Sequence, residues 1–257
     1  MRKPTIYAAE RRRIHFIEIP SELGAGTRGA SLGVAAIKTA ALVAGSSLFG
    51  QHPSTVVADE NYRLHLPEEN NVPHPHAKHV DGVLRTYEHI VYAINPLLRQ
   101  QDRFPIVLSG DHSSSAAVLA SWRINYPTAR IGAVWIDAHA DLHTPYTTPS
   151  GNLHGMPLAV CLGIDNRDCQ RNALSADTKL LWRKLQHLGN IYPKLRPEDL
   201  AFVALRSTER EEDYFIQQHS IPCYRVPQIR VEGALRVAQR ILEQLADCRS
   251  EERRVGK

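Results

Sequence analysis

Short apolar runs alternate along the chain with longer stretches in which apolar residues recur every three or four positions. The runs Ile14 to Ile19, Thr55 to Ala58, Pro105 to Leu108, Gly132 to Ile136, Leu200 to Leu205 and Ile221 to Arg225 have the length and composition of buried strands. Between them, Val83, Tyr87, Ile90, Val91, Ile94, Leu97 and Leu98 mark a long helix that Pro96 should bend or end. Near the end, Val231, Ala234, Leu235, Ala238, Ile241, Leu242 and Leu245 describe a helix with one buried face. Strands alternating with helices predict an α/β fold: one doubly wound, mostly parallel sheet with helices on both faces, a three-layer α/β/α arrangement within a single domain over residues 1–248. The stretch from Pro67 to His79 reads as a surface loop.

The final helix should feed a further strand, because a crossover helix buries its apolar face only when the chain returns to the sheet. From Arg249 the sequence is polar, so residues 249–257 are expected to be a disordered or artefactual tail, with the last strand–helix units of the fold missing.

Composition narrows the class. The 257 residues are 43% hydrophobic and 23% charged with a net charge of +4, which suits one globular core and calls for neither a nucleic-acid nor a membrane partner. Arg2, Lys3 and Arg11 to Arg13 precede no apolar stretch of signal-peptide or membrane length, so a cytoplasmic location is expected. The four cysteines, Cys161, Cys169, Cys223 and Cys248, form no Cys-x-x-Cys pair and read as inert thiols. Thirteen histidines are many, and several stand beside aspartates.

That clustering carries the chemistry. Val134-Trp-Ile begins as a strand and runs into Asp137, His139 and Asp141 at every second position, which in extended chain places all three on one face at the strand's C-terminal end. Open α/β sheets bind ligands there. Two carboxylates and an imidazole on one face are best reconciled by a cation among them. Upstream, Pro105-Ile-Val-Leu leads into Ser109-Gly-Asp-His-Ser113, so a neighbouring strand would bring His112 to the same place. A donor set of oxygens and imidazole suits manganese, iron or cobalt better than a thiolate zinc site.

Gly-Asp-His-Ser at Gly110 to Ser113, Asp-Ala-His-Ala-Asp at Asp137 to Asp141 and Ser-Gly-Asn-Leu-His-Gly at Ser150 to Gly155 resemble, in order and spacing, the signature blocks of the ureohydrolases, the family of arginase, agmatinase and formimidoylglutamase. The resemblance implies hydrolysis of a small guanidino substrate, first of all L-arginine to L-ornithine and urea, with two Mn2+ ions and a homo-oligomer, trimer or hexamer. It makes His112, Asp137, His139 and Asp141 metal ligands and His154 the catalytic histidine working beside Asp141. Thr148, Ser150 and Asn152 would hold the amino-acid end of the substrate, and Glu209 its amino group. His143 stands where arginases commonly have asparagine, so it either takes over a hydrogen bond to the substrate carboxylate or shifts specificity. The family's two remaining ligands come from a later strand ending in Asp-x-Asp, and no such pair follows a strand after Asp141 here.

Two rival readings stand beside this one. Gly24 to Gly29 is a literal Gly-x-Gly-x-x-Gly, but Ser21, Glu22 and Leu23 separate it from the strand before it, which weakens a dinucleotide-binding reading. The other rival is a non-catalytic, arginase-like protein with an incomplete metal site.

Overall fold

A computed structural model of the chain describes residues 13–65, 73–100 and 102–248. The expected tail, the basic N-terminal residues and part of the Pro67 to His79 loop lie outside the described residues.

All six expected strands are present: β1 (Arg13–Ile19), β2 (Ser54–Val56), β3 (Arg103–Ser109), β4 (Ala133–Ile136), β5 (Leu200–Val203) and β6 (Cys223–Tyr224). Among the described residues seven helices join them, α1 (Leu32–Val43), α2 (Leu48–Gln51), α3 (Val80–Leu98), α4 (Ser115–Asn125), α5 (Pro157–Leu162), α6 (Ala176–Gln186) and α7 (Arg210–Gln218), and two follow β6, α8 (Val226–Glu232) and α9 (Ala234–Gln244). Every strand pairing is parallel, as crossover helices require.

The expectation of one continuous sheet needs correcting. The strands form two three-stranded sheets, ordered β2-β1-β3 and β4-β5-β6. Between the facing edges of β3 and β4 lies a cleft of about 360 Å³ lined by Val107, Ser109, His112, Ala133, Val134 and Trp135, among others. Ala133 and Trp135 are buried while Val134 and Ile136 are exposed. The apolar run of β4 is thus that of an edge strand with one covered face.

Both sheets carry helices on two faces, following the alternation of side chains along a strand. In β1, Ile17 and Ile19 join the main core with Val83, Ile90 and Ile94 of α3. On the opposite face Glu18 meets Lys38 of α1 at 2.9 Å and Phe16 packs on Phe49 of α2. In β5, Leu200 and Phe202 belong to that same main core, whereas Ala201 faces Val237 and Ile241 of α9 in a second cluster. Residues of both sheets therefore share one core.

Two helix expectations change in detail. Helix α3 continues two residues past Pro96, since a proline in the last turn forfeits one backbone bond near the end and interrupts no long ladder. The closing helix is two helices, broken at Gly233 with φ 89°. Its buried face is Val237 and Ile241, whereas Val231, Leu235 and Leu242 are exposed. The break rotates α9 relative to α8, so one helical stripe cannot be drawn through both.

Candidate metal centre

Strand β3 ends at Ser109, and Asp111 shapes the turn that follows. Its Oδ1 accepts the Ser113 N–H at 2.8 Å and caps a short 3-10 turn over His112–Ser114. Its Oδ2 accepts the N–H groups of Gly24 at 2.9 Å and Ala25 at 3.3 Å. This carboxylate therefore works structurally, aiming His112 on one side and holding the glycine-rich loop on the other. A Cβ on Gly24 would lie 2.4 Å from Ser113 Oγ and 2.8 Å from Asp111 Oδ1, so only glycine lets the loop approach this closely.

That loop also answers the dinucleotide reading. A phosphate would need the loop's free N–H groups. Those of Gly24 and Ala25 go to Asp111, and those of Gly29 and Ser31 go to Glu22 Oε2, both at 2.8 Å. The loop is closed by carboxylates.

His112 stacks on Trp135 of β4 with ring centroids 4.5 Å apart, and its Nδ1 stands 2.8 Å from Asp141 Oδ2 and 3.0 Å from Asp137 Oδ2. Burial disfavours the protonated ring, but the adjacent Asp141 carboxylate, with the charges of Asp137 and Asp111, outweighs it and raises the His112 pKa. One ligand atom from each of His112, Asp137 and Asp141 falls within 4.8 Å of the others. Asp141 Oδ2 is shut off from solvent and makes no hydrogen bond of good geometry. A buried, under-satisfied carboxylate oxygen beside an imidazole and a second carboxylate fits a divalent cation.

The route by which His112, Asp137 and Asp141 converge differs from the extended chain expected. Beyond Ile136 the Asp137 N–H donates to Val203 O at 3.1 Å and Ala138 O accepts the N–H groups of Arg206 at 2.9 Å and Ser207 at 3.0 Å, and the chain then bends. Asp137 Oδ1 accepts the His139 N–H at 2.9 Å, an Asx-type turn, and Asp141 has φ 51° in the left-handed region. His139 consequently does not share a face with the other two. Its side chain is 65% exposed, with Nδ1 3.6 Å from Asp137 Oδ1, and it stands at the rim of the three-residue cluster.

The remaining site residues surround this point unevenly. His154 is exposed on a 3-10 turn over Leu153–Gly155, with its N–H on Gly24 O at 3.1 Å. Thr148 is buried, and its hydroxyl accepts the N–H groups of Ser150 at 3.3 Å and Gly151 at 3.0 Å, which commits it to the loop itself. Ser150 is exposed and Asn152 half-buried. His143 is buried, with Nδ1 3.2 Å from Thr147 Oγ1 and Nε2 3.5 Å from Glu209 Oε2. Glu209 is the N-cap of α7 and forms a capping box with Glu212. It is both the helix-start residue its position suggests and a half-exposed carboxylate facing His143.

Sequence reasoning missed the roles of Asp111, Trp135 and Glu212. Asp111 and Trp135 lie within or beside the motifs, but nothing in their spacing shows a stacked ring or a loop-holding carboxylate. For Glu212, the Glu-x-x-Glu spacing from Glu209 was a legible cap signal.

Comparison with known proteins agrees with the geometry. The model of the arginase family matches residues 12–251. The arginase of Bacillus subtilis (strain 168) is 30% identical over 92% of this chain and 72% of its own length, and that of Bacillus caldovelox is 28% identical over 91% and 71%. Among solved structures, Bacillus caldovelox arginase superposes with a TM-score of 0.72 at 27% identity over 91% of this chain and 72% of that one. Entamoeba histolytica arginase, solved with L-ornithine, gives 0.74 at 22% identity over 92% and 73%, a likeness of fold. With the motifs, the strand-end cluster of His112, Asp137 and Asp141 and these relatives in agreement, the chain belongs to the arginase family of ureohydrolases.

Proposed function

We propose that this protein hydrolyses L-arginine to L-ornithine and urea, with manganese held by His112, Asp137 and Asp141 and with His139 closing the site from its rim. The observation that carries the reading is the convergence of the His112 ring and two aspartates around the buried, under-satisfied Asp141 Oδ2. Two bound Mn2+ ions would supply Lewis acidity that makes water a nucleophile near neutral pH. The protein's part is position and protons. Asp141 presents a carboxylate that can orient the attacking water. His154, exposed on a turn pinned to the glycine-rich loop, can hand a proton to the departing amine, which cannot leave as an anion. Ser150 and Asn152 offer a hydroxyl and an amide for the amino-acid end, Thr148 sets the shape of their turn, and Glu209 offers a carboxylate to the substrate amino group. His143, buried against Glu209, reaches the substrate through that carboxylate more readily than by direct contact.

Arginine is favoured over agmatine and formimidoylglutamate because the relatives near 30% identity are named arginases, while formimidoylglutamase from Bacillus subtilis is 16% identical and resembles this chain in fold alone. A cytoplasmic homo-oligomer, trimer or hexamer, completes the reading. Self-association is supported by α1, where Leu32, Leu42 and Val43 are at least 69% exposed. The test is side-by-side turnover of the three substrates with Mn2+, following urea from arginine and agmatine and glutamate from formimidoylglutamate. Arginine should give the highest kcat/KM, and turnover of agmatine alone would reassign the substrate.

A second reading has its own support: among the described residues only three protein ligands converge at one point. On that reading the protein is a non-catalytic member of the family. Absence of turnover with all three substrates at saturating Mn2+ would establish it, and robust urea release would eliminate it.

A further inference from the structure

Past Ala138 the loop that presents Asp141 has no strand ladder to guide it, and Asp141 takes a left-handed backbone conformation that is uncommon for residues with a Cβ, although aspartate is among those that adopt it most readily. Three hydrogen bonds hold this point. Asp141 O accepts the Leu158 N–H at 3.2 Å, the His143 N–H reaches Gly155 O at 3.1 Å, and the Leu142 N–H reaches Glu212 Oε1 at 3.1 Å. Only the last is made by a side chain.

Glu212 is 4% exposed. A glutamate at the third position of a helix usually completes its capping box at the surface, where the carboxylate stays hydrated. Here Oε2 makes the capping contact, accepting the Glu209 N–H at 3.0 Å, while Oε1 reaches into the metal-ligand loop. Oε2 also stands 4.0 Å from His143 Nε2. A side chain doing no more than capping would gain nothing from burial, which by itself disfavours its charge.

We propose that Glu212 is a positioning residue for the metal centre: by tying the peptide after Asp141 to the N-terminus of α7, it fixes the direction in which the Asp141 carboxylate faces His112 and Asp137. The inference rests on the metal-centre reading above. Burial pushes the Glu212 pKa up, against the charge of His143 and the two backbone N–H groups that favour the carboxylate. Both oxygens are used as acceptors, so the ionised form serves the tie best. Without it the peptide unit between Asp141 and Leu142 is held only through its carbonyl, on the Leu158 N–H, and the left-handed backbone of Asp141 loses one of its constraints.

The test is Glu212→Gln, which preserves volume but can accept only one of the two N–H groups, since its amide turns a donor toward the other. Mn2+ affinity is titrated by electron paramagnetic resonance, and exchange of the Leu142 amide is followed on the metal-free protein. Ser175→Ala removes the side-chain N-cap of α6, well away in sequence, and serves as the control for loss of a cap alone. Glu212→Gln should bind Mn2+ about tenfold more weakly or worse, the range expected for residues supporting a ligand, and should exchange Leu142 faster. Ser175→Ala should lose stability with unchanged Mn2+ affinity. If Glu212→Gln does not fold, Glu212→Asp, one methylene shorter, is read in the same way. Wild-type binding with Glu212→Gln within twofold of it overturns the inference and leaves the functional reading standing. A wild-type chain that binds no Mn2+ overturns both.

Discussion

Gly24 shows how much of this site depends on the absence of an atom. Its missing Cβ lets the loop donate two N–H groups to Asp111, and its carbonyl in turn holds the N–H of His154. Gly24→Ala should therefore lower stability by about 1–3 kcal/mol through overpacking against Ser113 and Asp111. It should also lower kcat more than a surface Gly→Ala of equal stability would, a comparison made by pairing denaturant melts with turnover. A second residue-scale case is Lys194, buried with its ammonium on the carbonyls of Gln186 and, at 3.3 Å, Ile191. Burial pushes its pKa down from 10.5 to about 8. Between those values the unfolded chain holds a proton that the folded one lacks, so this residue's contribution makes stability rise with pH from about 8 to about 10.5. Below about 8 both states are protonated and the burial penalty is present in full. Lys194→Met should flatten this rise, which urea melts across that window will measure. A constant stability difference between the two proteins over the window would reject the assignment.

Among the elements, α9 separates pattern from packing. The apolar residues Ile241 and Leu242 are adjacent, and periodicity assigned both to one buried face. Ile241 packs under β5 while Leu242 is 67% exposed. Ile241→Ala should destabilise by about 2–5 kcal/mol as a buried truncation, and Leu242→Ala by no more than about 0.5 kcal/mol as a surface change. Equal losses would mean that α9 is covered on both faces. The strands were far more legible than this helix, because a short apolar run marks a strand whichever way it faces, whereas a helix buries only the face its neighbour selects. Likewise, the motif Asp-Ala-His-Ala-Asp marked the place where ligand-type atoms of His112, Asp137 and Asp141 come within 4.8 Å of one another. Its period-two argument failed because the strand ends at Ile136 and an Asx turn and a left-handed residue take over.

At the scale of the whole molecule, one core drawing on both sheets leads us to propose that residues 13–248 unfold as a single cooperative unit. Coincident fluorescence and circular-dichroism transitions in urea are the expected result, and two separated transitions would divide the sheets into independent units. Metal should act on the same equilibrium. Mn2+ at about 100 times its Kd stabilises a protein that binds it only when folded by about 2.7 kcal/mol, and Asp141→Asn should abolish most of that shift while a chelator reverses it. An equal shift in Asp141→Asn would remove Asp141 from the ligand set.

Some properties of this protein were determined by sequence alone. Strand positions follow from local apolar composition, and parallel crossover architecture follows from their alternation with helices. Family membership follows from three motifs in fixed order. These are short-range properties, carried by residues near one another in the chain. Tertiary structure decided the rest: two sheets where the pattern suggested one, the burial of Glu212 beside Leu142, the stacking of His112 on Trp135, the closing of the glycine-rich loop by Asp111 and Glu22, and the displacement of His139 to the rim. Each depends on where a backbone bends and which distant group then meets it. Such contacts join residues far apart in sequence, and no local pattern encodes them.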